Sequence, residues 1–356
     1  MSHTALRLSL ALLLSPVVAT AAPAVAAPLA EATGPATPAA PSAIVDHAPL
    51  VVSGALPGPG LWKVRKEGHT MYVLATLSPL PKRMEWESGG VASVVARSQL
   101  VLLPPSFTLD SDVGMFRGLM LLPSLLKARR NPEGRSLQEV VPAPLYARWV
   151  PLKQRYLGRD RGLERWRPIF AAQELYEAAM RRSDLSRDDV IDKEVRRLAK
   201  RHAVPMRGVN FRLPVDDAKG AIREFQVTTP GDTDCFARTL SRIETDLEAM
   251  RLRANAWATG DVQSLQALPV DSQYGASVDA ITASGLAQRL GVADLRPRLE
   301  RMWLEAAEQT LSRHQTSLAM LPLPLVTEEA GYLAKLAARG YEVEAPAPPP
   351  AGMAGG

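Results

Sequence analysis

The sequence predicts an α/β (α+β) fold, in which a central mixed, partly parallel sheet built from the N- and C-terminal segments accompanies a large helical middle section. Short apolar runs near both ends of the chain indicate buried strands. Between these runs, apolar residues recur every three or four positions, as they do in amphipathic helices. The folded part closes on the order helix, strand, helix, strand, which implies a right-handed crossover and parallel pairing.

A hairpin is predicted at the start of the folded part. Its strands cover residues 61–65 and 71–77, and Glu67-Gly68-His69 forms the turn, where glycine permits the left-handed backbone that such turns need. We expect the second strand to be covered on both faces, because both of its alternating sets are largely apolar. These sets are Met71, Val73 and Ala75 on one side and Tyr72, Leu74 and Thr76 on the other.

The middle section is predicted to be mainly helical, with two further strands. A helix at 84–98 leads into a strand at 99–103, which Pro104-Pro105 should end because proline cannot donate to a central ladder. Another strand is predicted at 204–209. The remaining helices are predicted at 136–150, at 163–182, from Ser186 with Asp189 in a variant capping box, and from Asp232 to Gly260, with a short one starting at Asp261.

The C-terminal section alternates between helix and strand. A helix is predicted at 294–314 and a strand at 316–321. Thr327 is expected to cap the next helix, which Gly340 ends at the position just beyond its last turn. A final strand covers 341–343.

The chain is expected to begin with a secretory signal peptide at residues 1–27. Arg7 precedes an apolar run over 8–18, and small residues near Ala22 and Ala27 offer cleavage sites. The run is too short to span a bilayer, so cleavage would leave no stable membrane span. The absence of a cysteine near the cut argues against a lipid anchor. This pattern predicts a bacterial protein that is periplasmic or secreted.

The remaining organisation is predicted as an Ala/Pro-rich flexible leader at 28–60, a single domain at 61–344 and a flexible tail at 345–356. The net charge is +5, and the basic residues are spread through the predicted helices rather than gathered in one run. This distribution indicates a solvated basic surface. Nucleic-acid binding would need clustered Lys/Arg with interleaved aromatic residues, so no nucleic acid is expected as a partner. A single cysteine, Cys235, allows neither an internal disulfide nor a thiolate metal cluster.

Both ends of the predicted domain carry recognisable sequence patterns. They are Leu61-Trp62-Lys63-Val64, the strand at 71–78, the turn Trp257-Ala258-Thr259-Gly260-Asp261, the pair Arg298 and Met302, and the ending 331–343, which reads Gly-x-x-x-x-Leu-x-x-x-Gly-Tyr-x-Val. Together these stretches resemble the TraB/GumN family, which also includes the Tiki membrane metalloproteases. The resemblance implies a metal-dependent hydrolase scaffold, with two Gly-x-x-His motifs and acidic residues at strand ends. Imidazoles and carboxylates so placed can hold a divalent metal with an open water position.

Carried over position by position, this resemblance implies that the family's site is degenerate here. Arg298 is kept, but the asparagine that follows it in the family is Leu299. The other positions carry no family ligand: the first Gly and His fall on Ala75 and Ser78, the acids on Pro104 and Asn210, and the second Gly and His on Pro322 and Leu325. We therefore predict no metal, no cofactor and no intact catalytic residue.

Three other routes to a site remain. Ser78 could act as a nucleophile, although it lacks a Gly-x-Ser-x-Gly elbow, and a hydroxyl that caps the loop is the preferred interpretation. Arg298 could bind an anion in a pocket with Thr76 and Ser78, or it could be a surface arginine. The histidines of the mature chain form no His-x-x-x-His pair and are expected to be solvated: His47, His69, His202 and His314.

Two function classes follow from these residues. The first is an exported TraB/GumN-like pseudoenzyme that binds a periplasmic protein partner or small-molecule ligand. The alternative is a divergent hydrolase or peptidase that uses relocated catalytic residues. Metal analysis of the purified protein separates the two.

Overall fold

A computed structural model describes residues 58–110, 127–160, 162–214, 232–268 and 294–347. The strands in this part of the chain are β1 (Leu61–Lys66), β2 (His69–Thr76), β3 (Leu80–Pro81), β4 (Val101–Asp110), β5 (Leu185–Ser186), β6 (Met206–Pro214), β7 (Thr316–Pro322) and β8 (Glu342–Glu344). The α-helices are α1 (Gly89–Arg97), α2 (Leu137–Val140), α3 (Ala143–Tyr156), α4 (Pro168–Arg182), α5 (Val190–Arg201), α6 (Asp232–Thr259), α7 (Val262–Ala267), α8 (Leu295–Arg313), α9 (Leu323–Thr327) and α10 (Tyr332–Ala338).

The main sheet has the strand order β6-β4-β7-β2-β1-β8. Strand β7 lies parallel to both β2 and β4, and β4 lies parallel to β6. Strand β1 pairs antiparallel with β2 and with β8, and β3 and β5 form a small second sheet. This arrangement confirms the predicted α/β fold with a mixed, partly parallel sheet drawn from both ends of the chain around a helical middle section.

The predicted hairpin is confirmed. Lys66 pairs with His69, so the loop has two residues, Glu67 and Gly68, with φ of 51° and 80°. Two consecutive positive φ values are those of a type I′ turn, whose twist matches that of the flanking strands. Strand β2 is buried on both faces from Val73 to Ala75, as its apolar composition predicts.

Strand β4 does not end at Pro104-Pro105, contrary to the prediction. It pairs with β7 only at Val101 and Leu102 and then continues beside β6 alone, after a register shift between Leu102 and Pro105. Proline is tolerated at a bulge and where a strand is paired on one edge only, because the missing N–H then interrupts no ladder. The sequence could not show which edge of this strand would lose its neighbour.

Several predicted helix boundaries are also wrong. The first helix begins at Gly89, five residues later than the predicted start at Met84. The single helix expected at 136–150 is two helices, α2 and α3, separated at Pro142, because proline cannot continue the preceding turn. Ser186 lies in β5, and Asp189 caps α5 by accepting the Asp192 amide at 2.9 Å. Thr327 ends α9 rather than beginning α10, whose N-cap is Gly331.

The last two strands, β7 and β8, are not neighbours in the sheet. The prediction that they pair directly in parallel is therefore wrong. Strands β7 and β8 run in the same direction, but β2 and β1 lie between them. The edge of β7 is occupied by β2 over seven residue pairs, from Thr70 with Thr316 to Thr76 with Pro322. The last strand therefore extends the sheet on the far side of the hairpin, where Val343 pairs with Val64.

Two hydrophobic clusters make up the described core, and α6 takes part in both. The first cluster surrounds the sheet and includes Ala254 and Trp257 from the end of α6. The second lies among the helices of the middle section and includes Phe236 and Leu240 from the beginning of α6. The apolar stripe predicted along this helix is thus confirmed as core. Among the described residues, no helix combines the length and apolarity needed to cross a lipid bilayer.

A buried ion pair fixes the beginning of α6. Arg167, just before α4, donates from Nε and Nη2 to the two carboxylate oxygens of Asp232, at 2.8 and 3.1 Å. Their side chains are 2% and 5% exposed. Burial raises the pKa of Asp232, and the hydrogen bond and charge of Arg167 act in the opposite direction. Because the two hydrogen bonds run parallel in one plane, they fix the orientation of α4 relative to α6.

Replacing Arg167 by methionine should destabilise the fold by about 3–5 kcal/mol, because it leaves the buried Asp232 without its guanidinium. The double variant R167M/D232L should recover most of this loss, since it removes both charges. The free energy of unfolding in urea, followed by circular dichroism, measures both effects. The half-exposed pair of Arg148 and Glu244 supplies the matched control, and R148M should cost no more than about 1 kcal/mol. Equal losses in R167M and R148M would contradict the prediction.

Candidate functional site

The carboxyl ends of the parallel strands meet at one edge of the sheet. Ala75 of β2 pairs with Leu321 of β7, and Thr76 pairs with Pro322. Strand β4 departs from β7 just before this level and extends further with β6. Open α/β sheets bind their ligands outside the carboxyl ends of their strands. The sequence-predicted site positions on β2, β4 and β7 therefore do lie at the edge where a site would form.

The end of β2 is covered by an indole ring. Trp257 of α6 donates its Nε1 hydrogen to the carbonyl oxygen of Ala75 at 2.7 Å. Trp86 packs edge-on against Trp257, with ring centroids 5.4 Å apart and an interplanar angle of 72°. Ala75 is only 1% exposed. The position that carries the first glycine in the resembling family is thus closed to an approaching ligand by protein atoms.

The turn after α6 holds Trp257 in place. Gly260 has φ of 71°, and a Cβ there would lie 3.3 Å from the backbone nitrogen of Gly60, so the chain just before β1 packs directly on this turn. Asp261 then caps α7 by accepting the Ser264 amide at 3.0 Å and its hydroxyl at 2.6 Å. These hydrogen bonds lower the pKa of Asp261, whose carboxylate is thereby committed to the cap.

Ser78 does not cap its loop, contrary to the preferred interpretation of the sequence. Its Oγ atom is buried and has no hydrogen-bond partner among the described residues. A serine nucleophile needs a base within hydrogen-bond reach, and the Ser78 hydroxyl has no such base among the described residues. A buried hydroxyl with no partner is costly, and no contact within the described ranges accounts for this one.

The other ligand positions at this edge carry apolar side chains. Leu325 of α9 is 5% exposed, and Pro322 precedes the same helix as its N-cap. Pro104 lies at the bulge of β4, next to Leu103, whose carbonyl oxygen accepts the indole hydrogen of Trp303 at 3.2 Å. None of these three side chains can donate an electron pair to a metal.

Asn210 occupies an exposed position on β6, in register with Ser106 of β4. Its Oδ1 accepts the Ser106 hydroxyl at 3.0 Å, and its Nδ2 donates to Thr108 Oγ1 at 3.1 Å. The amide thus bridges the two strands of the β4–β6 ribbon. Sequence reasoning missed this network, because the bulge at Pro104-Pro105 sets the register that brings these three side chains together.

Arg298 lies over the β4–β6 ribbon. Its guanidinium is 4.9 Å from the centroid of the Phe211 ring, and its Nη2 donates to the carboxylate of Asp294 at 3.1 and 3.3 Å. An anion at this position would have to compete with Asp294. Strands β4 and β7 separate β6 from β2, so the strand of Phe211 lies about 14 Å from the strand that bears Thr76. Thr76 and Ser78 are therefore not gathered around Arg298.

The described residues contain no group of three or more His, Cys, Asp or Glu side chains able to hold a metal ion. His202 and His314 are the C-caps of α5 and α8, and His69 Nδ1 contacts the carbonyl oxygen of Leu311. His47 lies outside the described residues. The donor set at the strand ends therefore does not fit the metal that the resemblance implies.

Cys235 lies on α6 and is half-buried. Burial raises the pKa of its thiol, which keeps the thiol protonated at neutral pH and slows its reaction with electrophiles. This environment is that of an inert thiol on an amphipathic helix.

The contact between Trp257 and Ala75 should contribute measurably to stability. We expect W257F to cost about 1–3 kcal/mol, because the buried carbonyl loses its donor. Urea unfolding measures this loss. The control is W86F, which keeps an aromatic ring against Trp257 and should cost less, since Trp86 is only partly buried. A smaller loss in W257F than in W86F would show that the hydrogen bond is dispensable.

Comparison with known protein families places the whole described sheet within one family. The model of the TraB/PrgY/gumN family matches residues 60–345, from the residue before β1 to the residue after β8. No curated protein matches the chain, and no solved structure does. The resemblance noted at both ends of the domain is thus confirmed over most of the sequence: the chain belongs to the TraB/PrgY/gumN family.

Proposed function

We propose that this protein is an exported, non-catalytic member of its family, which binds a periplasmic protein partner or small-molecule ligand. The observation that carries the proposal is the closed end of β2, where Ala75 is covered by Trp257. The scaffold that would present a reactive site is kept, whereas its ligand positions hold apolar side chains apart from the neutral hydroxyl of Ser78 and the neutral amide of Asn210.

The spacing of the remaining polar groups supports this proposal. A catalytic divalent metal needs about three protein donors, each about 2 Å from the ion. At the degenerate positions, the polar side chains are Ser78, which follows β2, and Asn210 on β6. Two strands lie between β2 and β6. A neutral hydroxyl and a neutral amide at that separation cannot ligate one ion together.

A cleft in the helical section is the candidate ligand site. It has a volume of about 250 Å³ and lies between α3 and the segment that follows it. At its wall, Glu164 accepts hydrogen bonds from Lys153 Nζ at 2.6 Å and from the Trp149 indole at 3.2 Å. Arg159 offers an exposed cation, and Lys153 and Glu164, which are paired with each other, offer their remaining hydrogen-bonding positions, which suits a small polar ligand.

Export is supported by the composition of the N-terminus. The apolar run at 8–18 follows Arg7 and precedes small residues, in the order typical of a cleaved secretory signal. An exported protein would meet its partner in the periplasm or outside the cell.

The alternative function, a divergent hydrolase or peptidase with relocated residues, has one observation in its favour. The buried Ser78 hydroxyl has no partner among the described residues and sits at the edge of the sheet where active groups often lie. Such a role would need a base supplied to Ser78 from elsewhere in the chain.

Metal analysis tests the proposal directly. Purified protein, dialysed against metal-free buffer and measured by inductively coupled plasma mass spectrometry, should hold zinc, manganese and cobalt well below one equivalent per chain. The control is the same measurement after incubation with each metal and renewed dialysis. One equivalent of retained metal, lost on N210A or S78A, would refute the proposal.

A fluorophosphonate probe addresses the alternative in the same preparation. We expect no labelling, since an unactivated serine hydroxyl is a weak nucleophile. Labelling that persists in S106A and disappears in S78A would instead establish a serine hydrolase. Ser106 is a suitable control because it is an exposed hydroxyl on the neighbouring ribbon.

Export has its own test. Expressed in a bacterium, the full chain should appear in the periplasm or medium, with a new N-terminus near Ala22 or Ala27 by Edman sequencing. The variant L12R/L13R should remain in the cytoplasm uncleaved, because charges in the apolar run prevent its recognition. The control L12V/L13V should behave like the unaltered chain. An intact N-terminus on the exported protein would contradict cleavage.

A further inference from the structure

Helix α5 carries a continuous stripe of basic residues on its outer face. The stripe consists of Lys193, Arg196, Arg197, Lys200 and Arg201, which are spaced at i, i+3, i+4, i+7 and i+8, so they lie on one side of the helix. All five are exposed. The opposite face is buried against the sheet core through Ile191, Val195 and Leu198. These five cations form the basic stripe of α5.

Acidic neighbours neutralise only part of the basic stripe. Arg196 pairs with Asp192, and Arg197 pairs with Glu194 at 2.5 Å. Within the described part of the chain, Lys193, Lys200 and Arg201 form no ion pair within 4.0 Å, although Lys193 attracts Asp189 and Arg201 attracts Glu194 over a longer distance. Three of the five cations thus face solvent without an ion-pair partner of this kind.

Helix stabilisation explains only the end of the basic stripe. Cations in the last turn of a helix interact favourably with its dipole, which accounts for Lys200 and Arg201. It does not account for Lys193, which lies in the first half of the helix.

The positive surface continues at the edge of the sheet. Helices α1, α5 and α8 each precede a parallel strand, so their C-termini lie at the same edge, where these strands begin. Arg97 and Arg313 are the last residues of α1 and α8, and both are exposed. This basic edge is opposite to the strand ends that bear Ala75 and Pro322.

We propose that the basic stripe of α5 docks the protein onto an anionic lipid surface, through the phosphate headgroups. The stripe spans about 12 Å along one straight helix face, which a flat array of headgroups can contact at once. Each Lys or Arg near such a surface contributes by charge alone, so no shaped pocket is needed.

The chemistry of the basic stripe favours lipid over other partners. Protein interfaces concentrate aromatic residues and methionine at their centre and are depleted in lysine, whereas the stripe includes Lys193 and Lys200 and no aromatic residue or methionine. Single-stranded nucleic acids are bound with aromatic stacking platforms, and α5 carries no aromatic residue. The exposed large apolar residues among those described, Val150 and Leu252, lie on other helices. Binding should therefore be peripheral, electrostatic and reversible by salt.

Vesicle co-sedimentation tests this proposal with the purified full chain. The probes are vesicles of phosphatidylcholine alone and vesicles that also contain phosphatidylglycerol. We expect binding only to the anionic vesicles at about 50 mM salt and its loss at about 500 mM, where screening is strong. The triple variant K193Q/K200Q/R201Q should bind about 100-fold more weakly, at about fivefold for each charge removed.

A charge-matched variant controls for overall electrostatics. R83Q/R135Q/R165Q removes three exposed cations outside α5 and should keep most of the affinity. Circular dichroism of both variants checks that the fold is intact. Absent binding to anionic vesicles, equal loss in both variants, or tighter stripe-dependent binding to duplex DNA at the same salt would each overturn the proposal. None of these outcomes depends on the metal analysis, so this proposal and the proposed function fail separately.

Discussion

The hydrogen bond from Trp257 to the Ala75 carbonyl joins the two parts of this protein. A carbonyl at the end of a buried strand needs a donor, since an unsatisfied one costs about 1–3 kcal/mol. The donor comes from the last turn of α6, whose first residue, Asp232, is held by Arg167 at the other end. One helix is thus fixed by a buried polar contact at each end, and it connects the core around the sheet to the core among the helices.

This connection bears directly on function. The indole that donates to the Ala75 carbonyl contacts β2 at its carboxyl end, and the carboxyl ends of strands are the usual place for a ligand in an open α/β sheet. Stability and closure of the site therefore have the same cause at Ala75. Among the described residues, the cleft beside Glu164 and the outer face of α5 are two surfaces rich in charge that lie away from the end of β2.

Sequence patterns predicted those elements whose signals are local. The turn at Glu67-Gly68 and the end of α6 at Gly260 follow from the need for positive φ, and the apolar stripe of α6 follows from its period. Predictions failed where the outcome depended on distant neighbours. Pro104-Pro105 lies within β4 because β7 leaves that edge free, and β8 joins β1 because β2 already occupies β7.

The sequence by itself determined the family, the fold class and the identity of the side chains at the strand ends. For Ala75, Pro104, Pro322 and Leu325, the residue type alone excludes a metal ligand, because these side chains have no metal-binding atoms in any conformation. Only the tertiary structure decided what those strand ends contact. Trp257 reaches Ala75 across 182 positions of sequence, Asn210 meets Ser106 through a register set by a bulge, and Ser78 is left without a partner among the described residues. Such contacts depend on how separate segments pack in space, and no local pattern encodes that packing.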